Sequence, residues 1–172
     1  PGSFLHIVAT ALLQKHQVDP GKVNFVNIGA SPAVFQAVQT GKVDAGPSSI
    51  DFIPIAERDN NPAIIAELWK ELPDYLRVGS AAHEKTIADK PQFMQAIVNG
   101  ISRTIRYNMD NKANFVQYGV EVMGKERAAM EFLHDYNLKN RINAPDHEVK
   151  EEWVEFTQQL NVDAGSPQAI LP

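Results

Sequence analysis

The sequence predicts an α/β lobe followed by a helical half, and three observations carry that prediction. Residues 22–46 read as strand, short helix, short strand. Two further short apolar runs, at 61–68 and 76–81, are bounded by polar or turn residues and read as additional strands. From residue 90 to 161 the apolar residues instead recur at helical spacing in four successive stretches. A length of 172 residues suits one sizeable core or two small lobes sharing a hinge.

Taken in order, Ser3 is placed to cap a first helix in which Phe4, Ile7, Val8, Ala11 and Leu12 share one face. That helix should stop near Gln17, before the turn "VDPGK". "KVNFVNIG" sets Val23, Phe25 and Ile28 against Asn24 and Asn27, as a strand ending at Gly29. Ser31 and Pro32 have the look of N-cap and first residue of a second helix, and Gly41 is suited to end it. "KVDAG" is then a short strand, parallel to the first because a helix lies between them. "GPSS" is the loop at its carboxyl end, which is where ligands sit in open α/β sheets. Ser48 or Ser49 caps another helix, with Pro54 in or near its first turn. The long pattern 90–112 places Phe93, Ile97, Ile101, Ile105 and Met109 on one face, and the spacing predicts that this stripe is core. "EVKEEWVEF" reads as a charged solvent face around one buried edge of Trp153.

The remaining composition narrows the function class. Apolar residues make up 44% and charged residues 22%, which places the chain among globular domains rather than disordered ones. A net charge of −5 argues against nucleic acid as a partner, since phosphate binding needs a basic face. No run is long and apolar enough to span a membrane. Cysteine is absent, which removes disulfides, thiolate metal sites and a cysteine nucleophile. The five histidines, His6, His16, His83, His134 and His147, show no metal spacing, so neither a metal nor a cofactor is expected. No phosphate-binding or esterase motif occurs, and Asp44 has no second carboxylate or histidine placed beside it to make a general base. Catalysis is not expected.

The order "PGSF…ALLQKHQVDPGKVNFVNIG", "AVFQAVQTGKVDAGPSS" and "DKPQFMQAIVNGISRTIRYNMDNKANF" resembles the solute-binding proteins of ABC importers. The nearest group is the nitrate/sulfonate/taurine type, which also includes binders of thiamin-precursor pyrimidines. The resemblance covers nearly the whole chain, and its most specific stretch is Gly41 to Ala45. It implies a periplasmic-binding-protein-like (type II) fold, a three-layer α/β/α lobe with a helical C-terminal half. It also implies that residues 1–76 form the second lobe and 77–172 a returning strand and helices that complete the lobes, with the N-terminal lobe absent. The expected function is capture of a small polar or anionic solute in an interlobe cleft and delivery to an inner-membrane permease. The expected protein is a monomer, periplasmic or lipid-anchored outside the cytoplasm. Two relatives of that architecture are rivals: the ligand-sensing domain of a LysR-type regulator, and a pyrimidine-synthase-like enzyme. The enzyme branch relies on a Cys-rich motif, and this sequence has no cysteine.

Three turns hold the candidate binding residues. Gly2, Ser3 and Phe4 open the first helix, whose N-terminal amides and positive dipole end suit sulfonate, carboxylate or phosphate. Ala30 and Ser31 open the second. Gly46, Ser48 and Ser49 follow the Val-Asp-Ala strand, where the resemblance implies that the cleft is lined. At the first and third turns a plain structural turn or helix cap explains the serines equally well, and at the second a turn plus a cap is the favoured reading. Trp69 and Tyr75 flank "KELPD" and are read as packing.

Overall fold

The computed structural model describes residues 3–59, 63–143 and 149–164. Gly2, His147, and the predicted element starts at 61 and 146 lie outside the described residues. The chain divides into two units, Pro1–Leu76 with Lys150–Pro172, and Arg77–Val149.

In the first unit, helix α1 (Phe4–Lys15) starts at Ser3, which has the extended backbone of an N-cap. It buries Ile7, Val8, Thr10 and Ala11, with Val8 only 1% exposed. Asp19 accepts the Gly21 amide at 2.9 Å and caps a 3₁₀ turn, Pro20–Lys22. Helix α2 (Ser31–Gln39) has Pro32 in its first turn and Ala30, one residue before the predicted Ser31, as its N-cap. It ends as expected at Gly41, whose φ of +68° is open to glycine at little cost. The Lys42 amide donates to Ala37 O at 2.8 Å and that of Gly41 to Val38 O at 3.0 Å, the paired bonds of a Schellman end. A 3₁₀ turn (Ile50–Phe52) runs into α3 (Ile53–Arg58), with Pro54 in its first turn. Phe35 of α2 stacks on Phe52, ring centroids 4.6 Å apart. Helix α4 (Leu68–Glu71) follows. The C-terminal helix α9 (Glu151–Asp163) belongs to this unit, and its Thr157 hydroxyl accepts the Leu76 amide at 2.8 Å. Trp153 is half-buried on it.

Glu71 ties α4 to the end of α1. Its carboxylate takes Lys15 Nζ at 2.9 Å and His16 Nε2 at 3.1 Å, and its carbonyl takes Lys15 Nζ at 2.6 Å. The hydrogen bond from Lys15, then that from His16, holds the carboxyl below its ordinary value of 4.5. A lowered folded value means that this link contributes stability above pH 4.5 and loses it as pH falls through the folded value. Glu71→Gln is therefore expected to shrink the acid-side fall in stability, measured as urea midpoints on either side of that pH. An unchanged pH profile would show that the link contributes nothing.

The second unit contains α5 (Glu84–Asp89), α6 (Pro91–Asp110), α7 (Lys112–Glu121) and α8 (Arg127–Asn140). His83 Nδ1 accepts the Lys85 amide at 3.1 Å and so caps α5. The buried centre lies between α7 and α8: Val116, Gly119, Ala129, Met130 and His134. Two expectations change or stay open here. Of the α6 stripe expected in the core, Phe93 is 58% exposed and Ile97 and Ile101 both 38%, while Ile105 and Met109 are half-buried. The helix packs chiefly against its sequence neighbours α5 and α7, which leave the exposed residues of that face without a cover among the described residues.

The segments read as strands carry no strand among the described residues. Residues 24–29, 63–67 and 76–82 hold no regular secondary structure, and 42–44 form bends. Phe25, Val26, Ile65 and Val78 on them are exposed. A strand is stable only when a neighbour completes its ladder.

Candidate functional site

All three candidate turns lie in the first unit. At the first, Ile7 is the earliest residue of α1 whose amide reaches back within the helix, to Ser3 O at 3.0 Å. The Ser3 side chain is exposed and makes no cap bond, so it does not satisfy the first-turn donors it is placed to reach. Phe4 packs against Tyr75, ring centroids 6.0 Å apart. His6, one turn on, meets Phe25 edge-on at 4.8 Å.

At the second turn, the Gly29 amide donates to Asn27 Oδ1 at 3.2 Å, which closes the bend that delivers Ala30 to the start of α2. Ala30 has no side-chain oxygen, so the opening of α2 is not capped by its own N-cap residue. The third turn lies directly against the second. Ser48 Oγ donates to Ser31 O at 3.0 Å, across 17 residues of sequence. Gly46 presses on α2: a Cβ there would stand 2.5 Å from Val34 Cγ1. Its bare backbone therefore makes room for Val34, a packing role that the sequence alone assigned to ligand approach. Ser49 caps the 3₁₀ turn without a side-chain bond.

The structure thus joins Ala30, Ser31, Gly46 and Ser48 at one edge of α2. No hydrogen bond among the described residues joins Ser3 to that group. Three residues missed from the sequence stand at or next to these turns. His6 and Phe25 flank the opening of α1, and buried Asp51 follows Ser49 by two positions. His6 was findable, since position i+3 shares a helix face with Ser3; Phe25 reaches it only through tertiary folding.

The chemistry these turns offer is hydrogen bonding. Hydroxyls and helix-start amides can hold a polar or anionic group. No histidine or carboxylate among the described residues hydrogen-bonds to Ser3, Ser31, Ser48 or Ser49, so no serine here has a base to activate it. Among the described residues no group of three or more His, Cys, Asp or Glu side chains could hold a metal. None of the described helices is long and apolar enough to cross a membrane.

Comparison with known proteins places these turns in a family. No curated protein and no solved structure matches the chain. A family profile described as NMT1/THI5 like matches residues 1–114, a stretch that contains every turn described above. The match bears out the broad resemblance to the superfamily of solute-binding and thiamin-precursor-binding proteins. With two thirds of its length matched, the chain belongs to the NMT1/THI5-like family.

Proposed function

We propose that this protein is the substrate-binding component of an ABC importer of the nitrate/sulfonate/taurine type, working outside the cytoplasm, in the periplasm or on a lipid anchor. In this reading the first unit forms one edge of a cleft in a two-lobed α/β fold of the type II kind. The starts of α1 and α2, with Ser3, Ala30, Ser31 and Ser48, hold the polar or anionic head of a small solute. Hinge closure buries it, and the closed form docks to a membrane permease. The observation that carries the reading is membership of the NMT1/THI5-like family over the residues that build these turns. Serine hydroxyls and helix starts without a base beside them support capture over catalysis. The family description also keeps a pyrimidine-synthase-like enzyme as a second reading, against which the lack of any cysteine counts.

The test is a thermal-shift screen against small sulfonates, nitrate, carboxylates and pyrimidines. A ligand at about 100 times its Kd adds about 2.7 kcal/mol, which raises the Tm of a protein of this size by roughly 5–10 °C. One chemical class is expected to give that shift, and Ser48→Ala is expected to reduce it. A folded protein that responds to none of the compounds would overturn the reading in favour of a sensor domain.

A further inference from the structure

The proposed cleft draws on one side of α2 and leaves the opposite face unused. Ala33, Gln36, Ala37 and Thr40 recur at i, i+3, i+4 and i+7 and so share a face. Val34, Phe35 and Val38 lie on the other, where Phe35 meets Phe52 and Val34 meets Gly46. Ile28, from the segment before α2, and Lys42, just after it, stand beside the first face. Together these six residues line a notch of about 200 Å³. Ala30, Ser31, Gly46 and Ser48 take no part in lining it.

What the notch can hold follows from its walls. Ala33, Ala37 and Ile28 are apolar, and the space exists because both alanines stop at Cβ. The polar groups are few and of one kind. Lys42 and Gln36 are exposed, and neither side chain has a hydrogen bond or ion pair among the described residues. Asp44, the nearest carboxylate in sequence, does not line the notch and is not paired with Lys42. The Thr40 hydroxyl already donates its proton to Gln36 O at 2.8 Å. The free donors are thus one ammonium and one neutral amide beside a hydrocarbon recess. Apolar walls with a small number of polar groups at one end are the pattern of a small-molecule site. The matching occupant has a single negative charge, acceptor oxygens for both donors and an apolar tail. A doubly charged anion would meet only one cation and lose water against hydrocarbon. Nitrate or another inorganic anion has no tail to fill the recess.

We propose that this face of α2 is a second binding site, separate from the solute cleft, for a small monocarboxylate with an apolar tail. The Lys42 ammonium and the Gln36 amide take the carboxylate, and the tail lies on Ala33 and Ala37 against Ile28. An ion pair to an exposed lysine is weak by itself, so the tail supplies the larger share of the affinity.

Hexanoate is the probe, followed in ¹H–¹⁵N spectra of the whole protein. Saturable shifts are expected at the backbone amides of Ala33, Ala37, Thr40 and Lys42 and at the Gln36 side chain. Acetate keeps the charge with four fewer methylenes and is expected to bind about tenfold more weakly. Hexanamide keeps the tail without the charge and is expected to bind about fivefold more weakly. Lys42→Met, which retains an apolar stem, is expected to remove the preference for hexanoate over hexanamide, and Lys42→Arg to keep it. Ala33→Leu fills the notch and is expected to abolish the shifts with both compounds. Ser48→Ala, expected to reduce the solute response of the cleft, should leave the hexanoate titration as it is, so the two sites stand or fall separately. Shifts that do not saturate would overturn the proposal, as would shifts centred on Ser31 and Ser48 or on the open face of α6. Equal binding of hexanoate and hexanamide, or of hexanoate and acetate, would overturn it too.

Discussion

Phe35→Ala is expected to destabilise the first unit by about 3–5 kcal/mol, the range for removing a large buried aromatic. Phe35 is 8% exposed, and its ring stacks on Phe52 at 4.6 Å with 16° between the planes. Truncation would open a cavity between α2 and the 3₁₀ turn after Ser49, because the rigid ends of both segments limit how far they can collapse. Urea unfolding followed by Trp153 or Trp69 fluorescence measures it. Phe35→Leu, which keeps most of the volume, is expected to cost less than half as much. The consequence extends to the proposed site. Phe35 and Phe52 lie on the same two segments that carry Ser31 and Ser48, so the variant should also weaken any solute shift. A loss below about 1 kcal/mol, the size of a surface effect, would mean that the two segments are not held by this stack.

The second large effect is expected at Gly119, and there the sign is the informative part. Alanine is favoured over glycine in a helix by about 1 kcal/mol, so Gly119→Ala would stabilise an exposed stretch of α7. Here an added Cβ would stand 2.6 Å from Met130 Cγ and 2.7 Å from Met130 Sδ. Met130 is only 3% exposed, and Cγ is near the root of its side chain, so it has little freedom to withdraw. Overpacking of this kind costs about 1–3 kcal/mol, and a net destabilisation is expected. Met130→Ala should relieve the overlap, so the double variant should be more stable than the sum of the two single losses, with a coupling of about 0.5–3 kcal/mol. Stabilisation by Gly119→Ala alone would mean that α7 and α8 do not approach so closely.

Legibility in the sequence followed the range of the interactions. The ends of α1 and α2 and the bodies of α6 to α9 were readable because caps, Gly41 and helical periodicity are written within a few residues of where they act. The fate of the α6 stripe was not. Periodicity says that Phe93, Ile97 and Ile101 share a face, and it does not say what covers that face. Strand signals such as "KVNFVNIG" share this weakness, since a ladder needs a distant partner. Within the candidate site, the cap position of Ser3 was local and legible, whereas its unused hydroxyl was not. The bond from Ser48 to Ser31 and the seating of Gly46 on Val34 arise from segments brought together by folding. His134 looked like an ordinary helix histidine, because its partners at the end of α6 lie 25 and 26 residues away.

The strand-prone segments carry a consequence for solubility. Residues 23–28, Val-Asn-Phe-Val-Asn-Ile, combine β-prone apolar side chains with no charge and no proline. Phe25 and Val26 stand open on them. A sequence of this kind can pair edge to edge with a second molecule when it adopts a strand. The nearest charges in sequence are Asp19 and Lys22, which nearly cancel, so the net charge of −5 acts as a diffuse repulsion rather than as a local guard. Salt screens such repulsion beyond about 10 Å at 0.1 M. Colloidal behaviour is thus linked to the same backbone that the proposed cleft would occupy, and whatever completes that edge also keeps the molecules apart.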